Sequence, residues 1–178
     1  RSNGWCVSGV EPDAAARKKA EELYKLSLLP AEEFFQLPSE SFHIITLWHV
    51  LEHVHRLHEY LQQLKKVLTQ NGTIFIAVPN YTSYDAEYYG AHWAAWDVPR
   101  HLYHFSPAAM RALLARHQLM LKAVHPMWFD SFYVSLLSEK YKRGTSSLVK
   151  GFIRGALSNR QAGKNIERCS SLIYVVGK

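Results

Sequence analysis

Cysteine is scarce in this chain: Cys6 and Cys169 are the two in 178 residues, they lie far apart, and neither belongs to a CxxC pair. That argues against a disulfide framework or a cysteine-built metal site, and it suits a reduced, cytoplasmic setting. Long apolar runs are missing too. No stretch approaches the ~18 residues of a membrane span, and the first residues lack the basic, apolar and small-residue order of an export signal. Acids are nearly missing from one segment. Lys140 to Arg168 holds eight Lys or Arg against a single acid, Glu167, so this segment carries +7 while the net charge is +6 and the remainder sums to −1. A basic stretch of this kind suits nucleic acid, phosphate or an acidic membrane, or more often is a solvated helical face. No internal repeat or low-complexity segment occurs.

What is present fits one ordinary domain with a sizeable core, at 48% hydrophobic and 20% charged residues. Cys6 to Val10 reads as a short strand. Pro12 and the cap residue Asp13 then open a helix over Ala14 to Lys25. Leu26 to Leu29 is a candidate short strand. "FHIITLW", Phe42 to Trp48, is a continuous apolar and β-branched run, as in strands covered on both faces. Leu57, Leu61, Leu64 and Leu68 repeat at helical spacing, Asn71-Gly72 is expected to end that helix, and Gly72 to Val78 forms the next strand. Pro79 to Phe105 reads as a long loop region rich in Trp, Tyr and His, a length that favours a functional or lid role. Ser106 and Pro107 restart a helix. A strand over Leu119 to His125, helices near Phe129 to Tyr141 and Ser147 to Ser158, and a final strand in "SSLIYVVGK" complete the pass. Alternating strands and helices predict an α/β protein with a mostly parallel sheet. In such sheets ligands sit beyond the carboxyl ends of the strands, so the residues that follow each strand are the ones to inspect.

Glu11 follows the first of these strands. A carboxylate there matches the two hydroxyls of a ribose, oxygen for hydroxyl; alternatively it is a surface acid favoured by a helix N-terminus. "HVLEHVH" follows Trp48, "PNY" follows Val78, and "HWAAWDVPRHLYHFSP" comes next. Taken with "VSGVEPD" (Val7 to Asp13), "SFHIITLWHVLEHV" (Ser41 to Val54), "LTQNGTIFIAVPN" (Leu68 to Asn80) and "DVPRHLYHFSP" (Asp97 to Pro107), the chain resembles the class I S-adenosylmethionine-dependent methyltransferases. The likeness is greatest to the branch that includes quinone-biosynthesis O-methyltransferases, and it runs to about Val124. It implies a Rossmann-like sheet with an antiparallel C-terminal strand, and S-adenosylmethionine as cofactor. It further implies that Glu11 holds the ribose, that Pro12 lies against the adenine, and that Leu47, Trp48 and His49 border the methionine end. The resemblance also implies a glycine-rich GxGxG loop and a helix ahead of Gly4, which residues 1–178 do not contain. The chain is therefore expected to be a fragment, an incomplete chain, or one that borrows a strand from a partner.

His101 and His104 are the candidate general bases, because an unperturbed histidine titrates near neutrality. Trp93 or Trp96 is expected on a pocket wall, with Arg100 and His101 pointing inward. Residues 126–169 are expected to form a helical lid or substrate lobe of the single domain. The expected activity is methyl transfer to a small-molecule or cell-surface-precursor substrate, favouring an anionic one, with no nucleic acid partner and with a homodimer left open. His49, Glu52 and His53 spell H-x-x-E-H, a spacing that could hold zinc on a helix. It follows a buried strand directly, so no metal is expected. A metal-assisted O-methyltransferase using these three residues and a non-catalytic methyltransferase-like protein are the alternatives.

Overall fold

The structure is a computed structural model that describes residues 3–145 and 147–178. Four strands form one sheet in the order β1-β2-β4-β3, with β1 Phe42–Trp48, β2 Leu68–Pro79, β3 Met120–Pro126 and β4 Ser171–Gly177. β1 and β2 are parallel, and β4 is antiparallel to both β2 and β3. Three strands therefore point one way and the last runs against them. Six helices accompany them among the described residues: α1 Ala14–Tyr24, α2 Leu57–Val67, α3 Tyr84–Tyr89, α4 Pro107–Arg116, α5 Asp130–Arg143 and α6 Leu148–Lys164.

Local chemistry explains the helix starts. The Asp13 carboxylate accepts the Ala16 N–H at 2.8 Å, and Ser106 Oγ accepts the Ala109 N–H at 3.1 Å with Pro107 in the first turn. Each satisfies a donor the helix itself cannot. α2 turns Leu57, Leu61, Leu64 and Val67 onto the buried strands Leu68–Pro79 and Ser171–Gly177, and Met110 and Leu114 of α4 join them. Burying each such leucine contributes about 1.5–3 kcal/mol.

Two expectations about the strands need correction. Cys6 to Val10 is not a sheet strand; it makes one isolated parallel bridge, Val10 to Leu29, and leaves Trp5 and Val7 exposed. An apolar run is only half of what a strand requires, because its backbone also needs a partner. Asn71-Gly72 does not end α2. The helix stops at Val67, and Leu68 already pairs with Phe42. Between the Phe42–Leu68 and Ile44–Thr73 pairs β2 holds more residues than β1, so the Asn-Gly turn chemistry serves a bulge inside the strand. A Cβ at Gly72 would lie 2.6 Å from Leu68 Cδ1, so the bulge needs glycine there.

The region between Pro79 and Phe105 is folded rather than open. α3 and two short 3-10 turns, Gly90–His92 and Ala94–Trp96, pack with α5 into a second small core around Tyr89, Trp93 and Val134. At its centre Asp85, 1% exposed, accepts from Trp93 Nε1 at 2.9 Å, Ser158 Oγ at 2.8 Å and Ser170 Oγ at 2.7 Å. Three donors from three segments satisfy a carboxylate that would otherwise be costly to bury.

Candidate active site at the carboxyl edge of the sheet

Strand register gathers one set of residues. Trp48 is level with Ala77, Pro79 with Ser171, and Pro126 with Leu172. The ends of β1, β2 and β3 and the start of β4 therefore share an edge, and His49, Glu52, Asp130 and Ser171 meet there. His49 adopts a left-handed backbone, φ 52°, and donates its N–H to Ala77 O at 3.0 Å. This turn swings the chain off β1 and carries Leu51–His53 across the sheet's end.

The side chains form a chain of charge. His49 Nδ1 lies 3.2 Å from Glu52 Oε1, and its Nε2 lies 3.9 Å from Asp130 Oδ2. The bond to Glu52 raises the His49 pKa against the opposing effect of burial, with Asp130 helping. Burial raises the Asp130 pKa, while the Ser171 hydroxyl bonded to it and His49 pull it down. Glu52 is 1% exposed, and its Oε2 has no hydrogen-bond partner among the described residues. Its backbone carbonyl accepts from the N–H groups of Leu102 and Tyr103, which clamps the following loop over the turn.

That clamp brings His101 in. His53 Nδ1 bonds Arg100 O at 3.0 Å and His101 Nδ1 bonds Ala95 O at 2.8 Å, with the two rings 4.6 Å apart. A carbonyl only accepts, so both Nδ1 atoms carry hydrogen and both Nε2 atoms are the basic ones. One carboxylate oxygen of Glu52 and a ring nitrogen each of His53 and His101 lie within 4.8 Å of one another. Burial lowers the His101 pKa, while Ala95 O, Glu52 and Asp97 act the other way. The site therefore offers an imidazole whose charged form burial disfavours, a buried acid and a partly buried one, and an unmatched carboxylate oxygen.

The other expected residues are distributed differently. His104 gives its Nε2 to Trp96 O at 2.9 Å and stays outside the Glu52 cluster. Trp93 is 2% exposed, bonded to Asp85, and belongs to the second core. Arg100 faces solvent and pairs with Asp97 at 3.2 Å instead of pointing inward. Asp130 and Ser171 were missed by sequence reasoning. Their signal was positional, since one follows β3 and the other opens the antiparallel strand.

A cofactor of the expected kind finds partial matches. Glu11 Oε1 accepts the Asp13 N–H at 2.9 Å, and Arg17 Nη1 holds the carbonyls of Glu11 and Pro12 at 2.7 and 2.8 Å. The carboxylate is thereby fixed with its second oxygen available to a ribose hydroxyl. Pro12 is exposed, Leu47 is buried, and Trp48 is half-exposed at the end of β1. No hydrogen bond or ring contact joins Glu11 or Pro12 to Leu47, Trp48 or His49 among the described residues. Leu47 itself, with Val10 beside Glu11 and Val50 beside His49, does line one cleft of about 780 Å³, which runs beside β1 between it and residues 4–10. Of the residues expected to hold the cofactor, Leu47 is in its lining, and Glu11, Pro12, Trp48 and His49 are not.

A methyltransferase-domain family matches residues 1–124, and the chain belongs to that family. A search of curated proteins finds no match. Solved structures share the fold. The cyclase SpnF superposes with a TM-score of 0.61 at 11% identity, covering 96% of this chain and 65% of its own. An S-adenosylmethionine-dependent methyltransferase from Archaeoglobus fulgidus gives 0.57 at 17% identity, covering 96% and 75%. A geranyl diphosphate methyltransferase in complex with S-adenosylmethionine gives 0.58 at 17% identity, covering 98% and 69%. The chain thus spans about two thirds to three quarters of the length of these neighbours. The sheet is that of the class I methyltransferases, whose cofactor is S-adenosylmethionine. A cyclase among the neighbours shows that the fold does not by itself choose the reaction.

Proposed function

We propose that this chain carries out S-adenosylmethionine-dependent methyl transfer to a small-molecule or cell-surface-precursor substrate, with His101 as general base. The observation that carries the reading is the neutral, inward-turned His101 beside buried Glu52, at the sheet edge where His49 ends β1. The cofactor supplies an electrophilic sulfonium methyl. The protein's task in such a displacement is alignment, and a base is required when the nucleophile is a hydroxyl that must lose its proton. His101 Nε2 accepts that proton, and its Nδ1–H stays fixed on Ala95 O, so the ring cannot turn away. Glu52 and Asp97 favour the imidazolium that forms. Glu11 holds the ribose, Pro12 the adenine face, and Leu47, Trp48 and His49 the methionine end. His104, held by Trp96, backs the same loop. Calorimetric titration with S-adenosylmethionine, on protein from the complete gene, tests the reading; a folded protein that binds none of it sinks the proposal.

A second reading rests on the unmatched Glu52 Oε2. Glu52, His53 and His101 form a carboxylate and two-imidazole set, with both imidazoles oriented by main-chain carbonyls as metal ligands commonly are. This grouping takes His101 where the H-x-x-E-H spacing had suggested His49. Such a set would hold a divalent cation and draw a substrate hydroxyl to it. The base reading expects no stoichiometric metal in the purified protein and full activity with chelator. Metal at one equivalent, lost in His53→Ala, would replace it with the metal-assisted reading.

A further inference from the structure

α6 is built with its small residues inward. Gly151 and Gly155 face α5 so closely that a Cβ on either would lie 2.8 Å from the Cα of Leu136 or Phe132. Ser158 and Ala162 continue this buried stripe. The large apolar residues of the helix are consequently turned outward. Leu148, Val149, Phe152 and Ile153 are exposed, the first two at 73% and 70%, and Tyr133 of α5, also exposed, lines the same surface with them. The Phe132 and Phe152 rings stack across the two helices at 5.0 Å, and a shallow apolar cavity of about 510 Å³ lies between them. An apolar patch of this extent marks a surface that docks on something.

The charge around it says what. Helical spacing puts Lys140 two turns beyond Tyr133 on the outer face of α5, and Arg160 and Lys164 in line with Ile153 on α6. Lys140, Lys150, Arg160 and Lys164 have no acidic partner among the described residues. The two acids of the hairpin are withdrawn: Asp130 is bonded by the Ser171 hydroxyl at the sheet edge and Glu139 is buried against Tyr89, while Glu167 beyond the hairpin pairs with Arg111. A two-fold contact between copies would set this cationic rim against itself. We propose that the α5–α6 hairpin docks on an anionic lipid bilayer surface, lying in the interface with its apolar face among the acyl chains and its lysines and arginines at the phosphates. No helix among the described residues is long and apolar enough to cross a membrane, so this contact is peripheral. α5 begins at Asp130, beside His49, and docking would hold the sheet's carboxyl edge near the surface. The inference stands apart from the methyl-transfer reading.

Flotation with vesicles tests it. The full chain is expected to float with phosphatidylcholine vesicles that contain phosphatidylglycerol, several-fold less with phosphatidylcholine alone, and less as salt rises. Leu148→Ser with Val149→Ser, exposed at 73% and 70% and outside the Phe132–Phe152 stack, is expected to lower partition roughly tenfold at an unchanged melting temperature. Lys140→Glu with Lys150→Glu is expected to lower it by roughly as much and to flatten the salt dependence. No flotation with anionic vesicles, or flotation unchanged in either double variant, overturns the proposal. So does a soluble dimer that Phe152→Ser dissociates while vesicles capture nothing, which would assign the patch to a second copy.

Discussion

Replacing His101 with alanine should lower turnover about 100- to 10,000-fold, the span that a positioned general base commands. S-adenosylmethionine affinity should stay within about twofold, because the base acts on the substrate proton and not on the cofactor. The pH profile supplies a readout that a structural role would not move. Burial holds the His101 pKa below its ordinary value, so the active neutral form persists at pH values where a free histidine would be protonated. The acid limb of kcat/KM should therefore lie below the usual histidine range and vanish in the variant. The same depressed pKa fixes the sign for stability. The buried neutral ring contributes stability above its unfolded pKa, and that contribution is lost as the pH falls through the folded pKa. If His101→Ala loses turnover only because it loses one equivalent of metal, the cluster is a metal centre. If turnover is unaffected, His101 is a packing residue and the base lies elsewhere.

Much of the architecture was legible because its causes are local. Asp13, Ser106 and Pro107 announce their helices with chemistry that acts over three residues, and "FHIITLW" announces a strand through its own composition. Asn71-Gly72 misled because the same turn geometry can close a helix or bulge a strand. Only the pairing of Leu68 with Phe42 decides between them. Cys6 to Val10 misled for a related reason, since a strand is defined by a neighbour that the segment cannot specify. In the site, the parallel-sheet rule points to the carboxyl edge of the strands, where His49 and Glu52 follow β1 and the Glu52 carbonyl holds the loop that carries His101. Distances in sequence hid the rest. The Trp93 indole N–H is spent on Asp85, eight residues earlier in a helix that read as loop. Asp130 and Ser171 meet through β3 and β4, which no spacing rule connects.

Glu11→Ala should weaken S-adenosylmethionine binding by about 1.5–3 kcal/mol, which is roughly 10- to 150-fold in Kd, the range for hydrogen bonds to a charged group. The geometry supports a small effect on folding. The Glu11 carboxylate takes one short-range bond, from the Asp13 N–H, and it lies outside both hydrophobic cores. The contacts that fix the turn, Glu11 N–H to Leu29 O and Arg17 to the Glu11 and Pro12 carbonyls, belong to the backbone and survive the substitution. Asp13 continues to cap α1 through Ala16. A melting temperature close to the parent's, together with the weaker Kd by calorimetry, is the expected pair of results. Glu11→Gln separates charge from reach. An amide keeps one acceptor and can serve one ribose hydroxyl, so it should recover part of the loss, whereas an acid placed there only for the helix N-terminus would give no loss of cofactor affinity in either variant. Unchanged affinity in a folded Glu11→Ala protein would remove Glu11 from the site and leave Trp48 and His49 as its cofactor-facing residues.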